Sequence, residues 1–167
     1  MISNIFKVNK DKSIVSLIVS IIIAEGIGIL SAILGMSNSK TYMNFNKPSF
    51  SPPSWVFPIV WTILFFLIAT AAYRIWMRGK QGENIKKAIE LYAVQLMLNF
   101  LWTIIFFRFR LYGIAFFELL ILLVAILITT FEFDKIDKIS AYLMIPYILW
   151  VSFAAVLNYT IWMLNSI

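Results

Sequence analysis

Five apolar runs, each about twenty residues or longer, dominate this chain. They cover residues 14–36, 55–77, 88–107, 111–131 and 139–164. A helix of about 20 residues is long enough to cross roughly 30 Å of hydrocarbon. Within a bilayer no water completes the backbone's hydrogen bonds, so a run of this kind folds as a helix. The pattern predicts an all-α membrane protein, a bundle of five transmembrane helices forming a single domain over residues 1–167. Composition points the same way. The chain is 62% hydrophobic and only 13% charged, whereas a water-soluble domain carries about a quarter charged residues. Basic residues precede the first run, as in a signal sequence. The run is too long for a signal core and lacks a cleavage site, so it is read as a retained span.

The charges predict an orientation. On the side of the N-terminus lie Lys7, Lys10, Lys12, Arg74, Arg78, Lys80, Lys86, Lys87, Lys135 and Lys138; on the other lie Lys40, Lys47, Arg108 and Arg110. That is 10 against 4 of the 14 basic residues. The excess of Lys and Arg on cytoplasmic loops places the N-terminus inside and the C-terminus outside. The net charge of +6 is then a topology signal. Scattered over loops, these residues form no stripe for nucleic acid. The chain has no cysteine and no histidine. This excludes disulfides, thiolate metal sites and cysteine nucleophiles, and removes the commonest general base and haem ligand.

The loop before the second span is unusual. "FNKPSFSPPSWVFPIVW", residues 45–61, holds four of the five prolines and two of the six tryptophans. Pro48, Pro52 and Pro53 fix φ and push the residues before them towards extended backbone. Residues 37–54 should therefore form a stiff flap. Pro52, Pro53 and Ser54 suit a helix start. Trp55 fits an interfacial aromatic belt; Trp61, two turns deeper and on one face with Phe65, fits a belt less well.

In the third span Gln95, Asn99, Trp102 and Phe106 share one narrow arc of a helix. Amides at that depth face the bundle interior or a cavity, either bonding between helices or lining a site. In the fifth span Pro146, Trp150, Ala154 and Asn158 are spaced by four, with a kink expected at Pro146. That stripe suits either a flat apolar ligand or helix packing. Two acids fall within spans. Glu25 lies beside Ala24, Gly28 and Ala32, a small-residue ridge that could form a subunit contact. A protonated Glu25 bonded across a helix contact is the favoured reading, with a proton or ligand path as the alternative.

The segments "KPSFSPPSWVFPIVWTILF" (47–65), "YAVQLMLNFLW" (92–102) and "PYILWVSFAAVLN" (146–158) resemble, in order and spacing, the translocator protein or tryptophan-rich sensory protein (TspO/MBR) family; the missing sterol motif and the Ile/Lys/Asn-rich composition point to a bacterial member. The resemblance covers all five spans. It implies a five-helix bundle, expected as a homodimer, with a pocket capped by the loop between the first two helices. The pocket would take protoporphyrin IX or haem as ligand, and no cofactor would be required. By position, Trp61 and Phe65 match the second-helix wall of that pocket. Asn99 and Trp102 match the third, Trp150 and Ala154 the fifth, and Tyr42 and Pro52 the closing loop. Glu118 stands where the family often has an acid, which implies a structural or dimer-related role.

The residues are consistent with that ligand class. Each ring stacked on a porphyrin contributes roughly 0.5–1.5 kcal/mol beyond burial. Lys47 is a candidate partner for the propionates. With no histidine or cysteine, the metal-free porphyrin is expected to bind more tightly than haem. Phe50 stands where the family often carries tryptophan. Tyr159 is followed by "TIWMLNSI" with no basic residue. This incomplete cholesterol motif, weak even when complete, lowers the expectation of sterol binding. Three functions stay open: a tetrapyrrole-binding protein or sensor, a light-dependent porphyrin-degrading enzyme with Trp61 or Trp150 as catalytic electron donor, and a transporter. No metal site and no acid–base pair for conventional catalysis is visible. The expected location is a bacterial plasma membrane.

Overall fold

The protein was analysed as a computed structural model, which describes residues 6, 8, 13–36 and 42–165. Lys7, Lys10, Lys12, Lys40 and the first part of the expected flap lie outside them. Among the described residues there are five long helices: α1 Ile14–Gly35, α2 Val56–Lys80, α3 Lys86–Thr103, α4 Tyr112–Ile136 and α5 Lys138–Asn165. All five are long and apolar enough to cross a membrane. The protein is a multi-pass integral membrane protein.

Local chemistry sets the helix ends. Ser13 caps α1, its Oγ accepting from the Ser16 amide at 3.3 Å, which satisfies one of the orphan donors of a first turn. Met36 ends α1 in the left-handed region (φ 56°) and donates to the carbonyls of Ala32 and Ile33. The second helix starts directly after its prolines, where the Val56 amide donates to the Pro53 carbonyl. The third span continues past Thr103 as a π-helical turn, Ile104–Arg108. Such wide turns occur mostly as single-turn bulges, frequently at functional sites. Pro146 lies within α5, and the helix runs on through it.

The closest helix pairs are α4–α5, α1–α2, α3–α4 and α2–α5. Large apolar side chains of α1, including Ile18, Ile22, Ile29 and Ile33, point outward, as a surface in lipid requires. Two of the three ridge residues, Ala24 and Gly28, pack within the chain, while Ala32 is exposed. Ala24 is buried, and a Cβ on Gly28 would strike the Phe65 ring. A Cβ on Gly35 would come within 2.8 Å of Thr103 Cγ2. These residues let α1 lie close on α2 and α3, so Ala24 and Gly28 are not free for a subunit contact.

At the N-terminal face α2 is clamped to the turn between α4 and α5. Arg74 Nε and Nη2 donate to the two Asp137 oxygens at 2.7 and 2.9 Å. Ser140 adds its amide and hydroxyl at 3.0 and 2.8 Å. Burial alone would raise the Asp137 carboxyl; the hydrogen bonds from Arg74 and Ser140, with the Arg74 charge, outweigh it and hold it at about 2. Tyr73 and Gln81 bond to the Phe6 and Val8 carbonyls, bringing the N-terminal segment onto the same face.

Candidate functional site

A cavity of about 270 Å³ opens between α1, α2 and α3, under the loop that precedes α2. It is near the lower end of ligand pockets. Six aromatic side chains, Tyr42, Phe57, Trp61, Phe65, Trp102 and Phe107, line it. Trp61 and Phe65 come from α2, four residues apart, with ring centroids 5.7 Å from one another. Trp102 faces Trp61 at 6.4 Å. Tyr42 and Phe57, 4.8 Å apart, form the mouth.

The depth of each residue follows from helix register. Helices α1 and α2 run antiparallel, with Ser20 Oγ donating to the Ala69 carbonyl at 2.7 Å and Gly28 against Phe65. Among the lining residues, Glu25 and Phe65 therefore mark the inner end, away from the loop. Ala32, Ser54, Tyr42 and Phe57 mark the outer end.

The loop is a packed lid. Tyr42 and Phe45 are buried, and Phe45 packs edge-on against Phe106 and Tyr112. Tyr42 Oη donates to the Pro52 carbonyl at 3.2 Å, bracing one side of the loop on the other. Lys47 Nζ donates to the Tyr42 carbonyl at 3.1 Å and sits 4.4 Å from the Tyr42 ring centroid. Asn46 and Asn165 exchange hydrogen bonds of 3.1 and 2.9 Å, fastening the loop to the end of α5.

Of the eight residues expected at a ligand site, five line the cavity: Tyr42, Trp61, Phe65, Asn99 and Trp102. Pro52 acts behind the wall, through its bond from Tyr42. Trp150 and Ala154 do not line it. Trp150 lies behind Phe57, ring centroids 5.9 Å apart, and Ala154 is buried in helix contacts. The fifth helix instead reaches the site through bonds. Asn99 Nδ2 donates to Tyr147 Oη at 2.9 Å, and Trp102 Nε1 donates to Asn158 Oδ1 at 3.1 Å. The third-span arc is buried throughout, so its inward orientation is as the spacing predicts. Asn99 both bonds between helices and lines the cavity. Gln95 is buried with neither amide atom partnered, as are both Glu118 oxygens. Trp55 is 64% exposed, consistent with a belt position.

Phe57 and Glu25 are among the lining residues that were not anticipated. Phe57 lay inside the quoted motif but carried no distinguishing spacing. Glu25 was expected in a bond across a helix contact. It lines the cavity and has no hydrogen-bond or ion partner among the described residues.

A five-helix membrane bundle with an aromatic-lined cavity under a proline-rich loop defines the class: a multi-pass helical membrane protein. A profile of the TspO/MBR family matches residues 19–163. The chain is 38% identical over 124 residues to the tryptophan-rich protein TspO of Chlorobaculum tepidum, covering 74% of this chain and 78% of that one. It is 34% identical over 157 residues to the TspO of Archaeoglobus fulgidus, covering 92% and 99%. It is 35% identical over 122 residues to the human translocator protein, covering 72% of each. The chain belongs to the TspO/MBR family.

Proposed function

We propose that this protein binds a tetrapyrrole, protoporphyrin IX or haem, in the cavity beneath the 42–55 loop, as a membrane binding protein or sensor. The observation that carries the reading is the facing pair Trp61 and Trp102, with Phe65 below and Phe57 and Tyr42 above. These rings line one cavity, the two indoles in contact at 6.4 Å and tilted by 37°. The apolar edge of the macrocycle enters first, and the propionates stay at the mouth, where Lys47, over the Tyr42 ring, offers a cation among the described residues. The cavity offers no histidine or thiolate, and its one phenol, Tyr42, already donates to Pro52. Metal-free protoporphyrin is the preferred ligand for that reason.

The test is quenching of tryptophan fluorescence by protoporphyrin IX in the dark. Saturable quenching, weakened in Trp61→Ala, is expected. Absence of saturable quenching removes the tetrapyrrole reading. A second reading, light-dependent breakdown of the bound porphyrin, draws on the contact between Trp61 and Trp102, which offers an indole donor beside the ligand. Trp61 is better placed for that role than Trp150, which stands behind Phe57. Bleaching of the bound spectrum under light, abolished in Trp61→Phe with binding kept, would establish it. We place the N-terminus in the cytoplasm of a bacterial cell and expect a homodimer in the plasma membrane. Protease access in oriented vesicles and cross-linking in membranes test these two points.

A further inference from the structure

Among the described residues, Glu25 is the one charged side chain in the cavity lining. The other polar lining groups on α1 and α3 have partners within the bundle: Ser31 Oγ donates to the Phe100 carbonyl, Thr103 Oγ1 to the Asn99 carbonyl, and Asn99 Nδ2 to Tyr147. Glu25 has none among the described residues. A carboxyl group at mid-span is costly unless something pairs with it. Its neighbours on α1 are alanine, glycine and isoleucine, and the α1–α2 contact is made by Ala24 and Gly28. Nothing in the helix packing uses the acid. Lys47 lies at the opposite end, over the Tyr42 ring. The slot is therefore polarised, with an acid at its inner end, a cation at its mouth and aromatic rings between.

We infer that Glu25 is a selectivity determinant, and that it favours flat apolar ligands whose leading edge carries a basic nitrogen. A protonated nitrogen there gains a charge-assisted hydrogen bond in a low-dielectric site. A ligand leading with a carboxylate would bring two acids together and is rejected at this end. The inference rests on the cavity being a ligand pocket. For a tetrapyrrole it sets the direction of entry, propionates outward.

The experiment uses the full chain in a neutral detergent and three flat probes that differ only at one substituent: 1-pyrenemethylamine, 1-methylpyrene and 1-pyrenecarboxylate. Energy transfer from tryptophan to pyrene reads binding. The amine should bind about tenfold more tightly than 1-methylpyrene, the gain of one good charge-assisted bond, and the carboxylate most weakly. In Glu25→Gln the amine and methyl probes should differ by less than about twofold, with 1-methylpyrene bound as before. If Glu25→Gln fails to fold, Glu25→Asp, one methylene shorter, must reduce the preference. Equal affinities in the unaltered protein overturn the inference, as does a preference that survives in Glu25→Gln. An equal loss of all three probes makes Glu25 structural and overturns it too. Protoporphyrin quenching in the same samples separates the two readings. Quenching without amine preference sinks this inference alone; amine preference without quenching sinks the tetrapyrrole reading alone.

Discussion

Removing the acid of the Arg74–Asp137 clamp should destabilise the bundle severely. Both side chains are nearly inaccessible, at 3% and 4% exposure, and the pair is bidentate. Asp137→Asn leaves the Arg74 guanidinium buried without its countercharge. Breaking a buried pair by removing one partner costs about 3–5 kcal/mol. For a chain of this size each kcal/mol lowers the melting temperature by roughly 2–4 °C. The expected loss is therefore about 6–20 °C, read by far-UV circular dichroism in detergent. Arg78, 3.4 Å from the same carboxylate, is partly exposed and turns to solvent when the acid is lost. Replacing both partners, as Arg74→Met with Asp137→Leu, should recover most of the loss, because well-packed apolar pairs often match a buried ion pair. The carboxyl's folded value of about 2 lies below its ordinary 3.8. Its contribution is thus fully present above about pH 4 and drains away as pH falls towards 2. Asp137→Asn should lose that acid limb of the stability profile. An Asp137→Asn protein within 1 °C of the unaltered one, or a double variant as unstable as either single one, would refute the argument.

Three smaller perturbations probe the cavity. Gly28→Ala drives a methyl into the Phe65 ring and should push that ring into the slot, weakening protoporphyrin quenching several-fold. Gly26→Ala, which meets nothing within 4 Å, should leave binding unchanged and, as an interior helix glycine, raise stability by about 0.5–1 kcal/mol. Trp102→Phe removes the Nε1 bond to buried Asn158 and should cost about 1–3 kcal/mol in thermal unfolding, while the ring face remains for ligand. Tyr42→Phe cuts the brace to Pro52 and should speed ligand release in stopped-flow quenching more than it slows entry.

The spans were readable because length and hydropathy act along the chain, and helix ends fall within a few residues of expectation. Which face each helix turns inward was harder to read. Lipid and bundle interior are both apolar, so hydrophobic periodicity hardly separates them. The third-span arc was legible because amides mark the inward face. On α5 the Trp150 stripe carried no such marker on its aromatic end, and spacing could not distinguish ligand wall from helix packing. Nothing in the sequence singled out Asp137, since its partner Arg74 lies 63 residues away. Glu25 was noticed for its depth, but only the register of α1 against α2 shows that it meets the cavity.

The two faces of the bundle are held by bonds of different strength, and that difference decides where a ligand enters. At the N-terminal face a buried bidentate ion pair, extended by Ser140, locks α2 to the α4–α5 turn; opening it costs several kcal/mol. At the loop face the fastening is neutral and exposed. The Asn46–Asn165 bonds are at the surface, and each such bond is worth about 0.5–1.5 kcal/mol net. The loop's aromatic packing adds more, but Pro48, Pro52 and Pro53 restrict the states it gains on release. Opening at that face uncovers the Trp61–Trp102 slot without disturbing any helix contact. Phe65 and Gly28 line the cavity's inner end, towards the ion-paired face. Under the proposed binding role, the loop face is therefore the side at which a ligand would enter and leave.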